Sequence, residues 1–261
     1  MFLNPVIFSI GPFSIYWYSL AYVLGVIFAH WYLRKLDSQK IFNRNFCDSL
    51  LTGTIAGIII GGRLSYVLIY DPIFYINNPI KIFKTWEGGM SFHGGVVGVL
   101  CAVIISCKKH NIPIFYTLDL ISCGVPVGLF LGRVGNFING ELFGRITNMP
   151  FGMVFSKSGD NLLRHPSQLY EAFFEGLLFF VVINLLFFLT KIRLNCGVLT
   201  GVAIMWYGIV RFILEFFREP DYQIGYLLFD LTMGQLLSIP MILFGAILSL
   251  NLSNLKFIRK L

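Results

Sequence analysis

Long apolar blocks recur along this chain, each closed by a short charged or glycine-rich cluster, and that rhythm constrains the fold more than any other feature. A block of roughly 18 or more apolar residues is long enough to cross the hydrocarbon of a bilayer as a helix. Spans are expected at Ser14–Leu33, Ser49–Tyr70, Met90–Cys107, Thr117–Ile138, Gln168–Thr190, Gly197–Phe216 and Leu231–Leu250. Each must be helical, because an unpaired peptide group in lipid costs several kcal/mol. The reading is an all-α, polytopic membrane protein with seven transmembrane helices, one integral membrane domain over 1–261. It carries an outward-facing polar cavity and a small outer loop or cap at about 139–166.

Composition agrees. The 261 residues are 56% hydrophobic and 13% charged, against about 25% charged in an ordinary soluble domain. The net charge of +7 does not imply nucleic-acid binding, because the basic residues sit in short clusters between apolar blocks. Arg34, Lys35, Lys40 and Arg44 fill the first connection, Lys108 and Lys109 the third, Lys191 and Arg193 the fifth, and Lys256, Arg259 and Lys260 the tail. With seven spans all lie on one side, which the positive-inside rule makes cytoplasmic, leaving the N-terminus outside. No positive residue precedes the first apolar stretch, so that span is expected to be retained rather than removed as a signal peptide. Cys47, Cys101, Cys107, Cys123 and Cys196 form no C-x-x-C and read as small packing residues.

Several polar residues sit where lipid would penalise them. An arginine in mid-span costs from about 2.5 kcal/mol upward and needs a partner, a wet cavity or a shallow position. Arg63 follows "IIIGG", Arg133 follows "GLFLG", and Arg211 lies in "WYGIVRFILEFFR". Tyr207, Arg211 and Glu215 are spaced to stack on one helix face, with Arg218 three residues beyond. Arg133 and Asn136 share a face, and Glu141 follows as that helix ends. An Arg211–Glu215 pair that stitches a bundle is the plain reading. Two arginines from two helices at one depth also make an anion site, and a guanidinium binds phosphate with a planar fork of donors. The abundant phosphate at this depth is a lipid headgroup. His93, beside Gly94 and Gly95 in "MSFHGG", can take a proton near neutral pH. In "LRHPSQLYE", Ser167 is expected to cap the fifth span with Glu171 in its first turns, and "MVFSKS" reads as a short strand. No metal-ligand spacing, G-x-S-x-G elbow or P-loop is present.

The segments "FSIGP", "YWYSLAY", "GGRLSYVL", "WEGGMSFHGG", "GRVGNFINGELFGR", "RHPSQLYEA", "YGIVRFILEFFREPD" and "TMGQLLSIPM" together resemble the bacterial prolipoprotein diacylglyceryl transferases over nearly the whole chain. Ser19 departs from the glycine common after the Trp-Tyr pair, and Ile146–Leu163 is a variable loop. The resemblance implies transfer of diacylglyceryl from phosphatidylglycerol to the lipobox cysteine of a preprolipoprotein signal peptide. The chemistry would lie on the outer side of the bacterial inner membrane, with no metal or soluble cofactor. It assigns importance to Tyr18, His93, Arg133, Asn136, Glu141, Gly144, Tyr207, Arg211 and Glu215. Arg133 and Arg211 would hold the phosphodiester, with Arg218 beside them. Glu215 would orient Arg211, Asn136 and Tyr207 would donate hydrogen bonds, and Gly144 would let a loop approach closely. The base is open between His93, another group and a thiolate stabilised by the arginines. A lipid transporter or flippase, or a scaffold with arginines paired only for packing, are the competing classes; no inverted repeat is visible.

Overall fold

The computed structural model describes residues 4–10, 13–220 and 225–252. The basic tail residues Lys256, Arg259 and Lys260, and residues 221–224, lie outside the described residues. The chain divides into two compact units, one formed by residues up to Leu33 and from Asp119 onward, the other by Arg34–Leu118.

The first unit begins with strands β1 (Val6–Ile10) and β2 (Phe13–Tyr16), paired antiparallel from Val6↔Tyr16 to Ile10↔Phe13. This corrects the all-α expectation and trims the first span, expected from Ser14. The cause is local: "VIFSI" and "FSIY" alternate aromatic and β-branched residues around Gly-Pro, which favours paired strands over a continuing helix. Helix α1 (Trp17–Leu36) follows at once.

In the unit Arg34–Leu118, helices α2 (Arg44–Ile69) and α4 (Phe92–His110) form the main packing pair, with the short α3 (Pro72–Asn77) and two 3₁₀ turns between them. Asn43 caps α2, its side chain accepting from Phe46 N at 2.8 Å; Ser91 caps α4, accepting from Gly94 N at 3.3 Å. Gly57 and Gly61 face Gly94 and Gly98, and a methyl placed on Gly61 would come within 3.0 Å of Gly98 Cα. Small residues let membrane helices approach this closely. Arg63, singled out from the sequence, finds carbonyls instead of a carboxylate. Its guanidinium donates to Ile82 O and Gly89 O at 2.9 Å and to Lys81 O and Gly88 O at 2.5 Å, so it ties the connection before α4 to α2.

The other unit adds α5 (Ile114–Asn139, from Asp119 on), α6 (Ser167–Glu171), a π-helical turn (Ala172–Leu177), α7 (Leu178–Leu189), α8 (Val198–Leu214) and α9 (Met233–Leu252). Asp119 closes the start of α8, accepting from Gly197 N, Thr200 N and Thr200 Oγ1 at 2.7, 2.8 and 2.6 Å. The π turn leaves a carbonyl for another helix, and Trp206 Nε1 donates to Phe174 O at 3.1 Å. Ser167 does not cap: its hydroxyl donates to Leu142 O at 3.0 Å.

Among the described residues, five helices are long and apolar enough to cross a membrane: Arg44–Ile69, Phe92–His110, Ile114–Asn139, Ser167–Leu189 and Met233–Leu250. Val198–Leu214 is apolar but shorter. The chain is a mostly helical, multi-pass membrane protein. Between α5 and α6 the backbone is held by isolated bridges, Ile146↔Arg164 and Met153↔Arg164, and Ser156–Ser158 is a 3₁₀ turn. "MVFSKS" therefore contributes one bridge at Met153, not a strand, because Gly159 and Asp160 turn the chain back at once.

Candidate functional site

Three helical segments of the first unit bring their charges to one place. Arg133 comes from α5, Glu171 and Glu175 from α6 and the π turn, and Arg211 from α8, with Glu215 as its first residue beyond. Glu171 and Glu175 are fully buried, and the side chains of Arg133 and Arg211 are each 14% exposed. Arg133 Nε and Nη2 both meet Glu175 Oε2, at 3.0 and 2.9 Å, and Arg133 Nη1 lies 3.1 Å from Glu171 Oε2. Arg211 Nη1 donates to Glu171 Oε1 at 2.6 Å, and its Nη2 reaches Glu215 Oε2 at 2.7 Å. Arg218 Nη1 is 3.4 Å from Glu171 Oε1. Glu171 thus touches all three guanidiniums. The buried set is three cations, Arg133, Arg211 and Arg218, against three anions, Glu171, Glu175 and Glu215.

The expected stack of Tyr207, Arg211 and Glu215 is present. Although α8 ends at Leu214, Glu215 keeps helical angles and donates its N–H to Arg211 O. Arg218, three residues beyond Glu215, is not on that helix. The chain leaves the helix at 215–217 and Arg218 bridges Gly144. Arg145 covers the helix end, donating from Nε to Arg218 O at 2.9 Å and from Nη2 to Glu215 O at 3.5 Å. Glu215 is further held by Thr232, whose hydroxyl donates to Oε1 at 3.0 Å, and a methyl on Gly234 would sit 2.8 Å from its carboxylate carbon. The Tyr207 hydroxyl has no hydrogen bond among the described residues, and its ring lies within electrostatic reach of Glu175, Arg133, Arg211 and Glu171.

Asn136 and Glu141 meet at the end of α5. Asn136 Nδ2 donates to Glu141 Oε1 at 2.9 Å, and Asn139 Nδ2 to the same oxygen at 3.2 Å. Gln168 Nε2 donates to Glu141 O at 2.7 Å, which joins this corner to α6. Tyr18 packs on Gly135, between Arg133 and Asn136 in sequence; a methyl there would lie 3.0 Å from its ring, and its hydroxyl shares a 2.9 Å hydrogen bond with Tyr22. Gly144 lets a backbone come close, and the visitor is the protein's own: a methyl there would meet Phe217 O at 2.5 Å and His165 Cβ at 2.7 Å. Gly144 N donates to His165 O at 2.8 Å.

Arg164 anchors the segment between α5 and α6, donating from Nη2 to Asp160 Oδ2 at 2.7 Å and from Nη1 to Glu219 Oε2 at 3.1 Å and Gly144 O at 3.3 Å. The Arg164 hydrogen bond holds the Asp160 carboxyl down at about 2. His165 Nδ1 is 3.1 Å from Tyr170 Oη, and burial lowers its imidazole from the ordinary value.

His93 belongs to the other unit. It is the second residue of α4 in the unit Arg34–Leu118, exposed, with its ring 5.8 Å from that of Phe92. The site residues that the sequence reading missed are Glu175, Arg145, Gln168 and Thr232, and it gave Glu171 no role beyond a first turn. A signal existed for the two glutamates: carboxylates four apart in "YEAFFEG" are as costly in lipid as the arginines and face the same way. All five cysteines are free, with Cys47, Cys107 and Cys123 buried and Cys101 exposed.

Comparison with known proteins meets this geometry at its own residues. The family described as prolipoprotein diacylglyceryl transferase matches residues 5–251. A phosphatidylglycerol–prolipoprotein diacylglyceryl transferase of Wolbachia pipientis wMel is 77% identical over 98% of each chain. Proteins of the same name from Ehrlichia ruminantium (strain Welgevonden) and Anaplasma marginale (strain Florida) are 54% and 51% identical, over 94% and 93% of this chain and 95% and 86% of their own lengths. The matched span takes in every member of the buried Arg–Glu cluster, and the chain belongs to the prolipoprotein diacylglyceryl transferase family.

Proposed function

We propose that this protein transfers the diacylglyceryl group of phosphatidylglycerol to the lipobox cysteine thiol of a preprolipoprotein. The carbon–oxygen bond between the diacylglyceryl carbon and the phosphate breaks, a carbon–sulfur bond forms, the thiol proton goes to a base, and glycerol phosphate leaves. The observation that carries this reading is the joining of Arg133 and Arg211 through one buried carboxylate, Glu171, inside a membrane helix set. Two guanidiniums at one depth can bracket a phosphodiester and stabilise the negative charge that grows on the departing phosphate. In this reading Glu215 orients Arg211. Asn136 and Tyr207 donate to the lipid, Tyr18 lines the approach, and Glu141 and Gly144 set the corner that closes over it. Arg218 adds a third cation through Glu171.

His93 is the proposed base, since a free thiol with a pKa near 8.5 must lose its proton to attack well. Seven spans, an outer N-terminus, a cytoplasmic C-terminus and an outward-facing polar cavity complete the reading. One integral domain would lie in the bacterial inner membrane, its chemistry toward the outer face. Neither a metal nor a soluble cofactor is needed for a displacement of this kind, and the lipobox segment of the protein substrate would enter from the outer leaflet.

The test is direct. Purified protein in lipid nanodiscs, given phosphatidylglycerol and a lipobox peptide, should yield a peptide heavier by one diacylglyceryl group and stable as a thioether. Folded protein that gives no such product refutes the assignment. A transporter would instead move fluorescent phosphatidylglycerol between leaflets with the peptide unchanged.

A further inference from the structure

The buried cluster is balanced before any lipid arrives, and that creates a problem for an anionic substrate. Arg133, Arg211 and Arg218 already face Glu171, Glu175 and Glu215, three charges of each sign. A phosphodiester placed among them adds one negative charge to a set already balanced among the described residues. An unmatched charge in a poorly solvated interior is opposed by several kcal/mol, and proteins commonly respond by moving a proton.

The three carboxylates are not equivalent. Both oxygens of Glu171 face arginines, Oε1 toward Arg211 and Arg218 and Oε2 toward Arg133. Glu215 is held at Oε1 by Thr232 and at Oε2 by Arg211. Glu175 places its whole grip on one atom: Oε2 takes Nε and Nη2 of Arg133, while Oε1 is buried with neither a hydrogen bond nor an ion pair among the described residues, whereas Glu171 Oε2 and Glu215 Oε2, which also lack a hydrogen bond, keep arginines at 3.1 and 2.7 Å. The charged and titratable groups facing Glu175 are Arg133 on α5, Glu171 one turn earlier on its own segment, and Arg211 and Tyr207 on α8. The π turn that carries Glu175 is itself an irregularity of the kind found at functional sites.

We infer that Glu175 takes up a proton on Oε1 when phosphatidylglycerol binds, releasing the Nε–Nη2 edge of Arg133 to fork onto the lipid phosphate. The proton comes from the aqueous phase, no covalent bond of the lipid changes in this step, and the proton departs when glycerol phosphate leaves. A neutral acid accepts from a guanidinium far less strongly than a carboxylate does, so the same event restores charge balance and frees the donors. Glu175 is thus a positioning residue, acting on the lipid through Arg133. The inference rests on the proposed lipid reading of the site.

Calorimetry of phosphatidylglycerol binding to the nanodisc-embedded protein tests it, run in buffers of different ionisation enthalpy to count protons. Wild-type protein should take up about one proton per lipid bound, and its KM for the lipid should fall toward lower pH by at most about tenfold per pH unit, the limit for one linked proton. Glu175→Gln, which mimics the protonated acid, should bind the lipid with no proton uptake and a KM flat in pH. Binding without proton uptake by the wild type overturns the inference whether or not the variant folds. Equal uptake by wild type and Glu175→Gln also overturns it. If the wild type binds no phosphatidylglycerol at all, the lipid reading itself fails and this inference falls with it.

Discussion

Arg133 and Glu175 meet across α5 and the π turn, with two guanidinium nitrogens at 3.0 and 2.9 Å from a single carboxylate oxygen. That contact shares its arginine with Glu171, which in turn touches Arg211 and Arg218. The cluster therefore behaves as one electrostatic body, and substitutions in it will not act additively.

Glu171 is the member whose loss should cost most in stability. Glu171→Gln leaves three guanidiniums short of one shared anion at a fully buried position. Breaking a buried pair by removing one partner typically costs about 3–5 kcal/mol. The apparent Tm in detergent should fall by several degrees and turnover should be lost. An unchanged Tm would show that the three arginines do not depend on Glu171.

The cluster also shows what a sequence can and cannot say. Arg133, Arg211 and Glu215 were legible because their spacing in apolar runs has few explanations, and the helix positions followed from the length of the apolar blocks. Glu171 and Glu175 carried the same signal, but attention to cations hid them. Arg218 was legible only as a position three beyond Glu215, because the turn of the chain toward Gly144 after Leu214 is set by a distant pairing that local spacing does not encode. Ser14–Tyr16 of strand β2 was absorbed into the first span and β1 went unread, since aromatic and β-branched residues are also apolar. Bonds such as Arg145 to Arg218 O join residues 73 apart, and no local pattern encodes them.

Asp119 offers a stability control away from the cluster. It satisfies two backbone N–H groups and a hydroxyl at the start of α8. Asp119→Ala should destabilise by about 1–2 kcal/mol, as loss of a helix cap does, and lower Tm while leaving the KM for phosphatidylglycerol unchanged. A raised KM would mean that α8 shifts along its length and carries Arg211 with it.

Gly144→Ala should separate the segment between α5 and α6 from the helices it packs on. The added methyl would lie 2.5 Å from Phe217 O and 2.7 Å from His165 Cβ, so the bridge to Arg218 must open. Helix content by circular dichroism should be retained, whereas protease should cut within 145–165 at least tenfold faster, roughly the effect of about 1.4 kcal/mol on local opening. Resistance equal to wild type would show that the segment can absorb the methyl.

The segment between α5 and α6 should also respond to pH with a defined sign. Burial lowers His165 from its ordinary value of 6.5, so the unfolded chain takes a proton there before the folded one does. Its stabilising contribution is present above about 6.5 and is lost as pH falls below that. Asp160 is silent in this window, because its depressed value of about 2 makes its own contribution disappear only in strong acid. Tm should fall between about pH 7.5 and 5.5, and His165→Phe, which keeps a ring against Phe151, Tyr170 and Phe217, should flatten that slope. A slope unchanged in the variant would place the titrating group elsewhere.

Arg211→Lys asks whether the cation or its shape matters. A lysine retains the positive charge that Glu171 and Glu215 require, so the bundle should lose little stability. It has no planar fork, and cannot hold two carboxylates through separate nitrogens while also presenting donors to a phosphate. The expected result is a near-normal Tm with kcat/KM reduced about 100-fold or more, corresponding to about 2.7 kcal/mol or more of lost transition-state stabilisation. The same change at Arg164, which ties the segment between α5 and α6 through Asp160 and Glu219, should affect Tm more than kcat. If Arg211→Lys turns over at the wild-type rate, the guanidinium of α8 serves only to neutralise its glutamates, and the phosphate must be held by other groups.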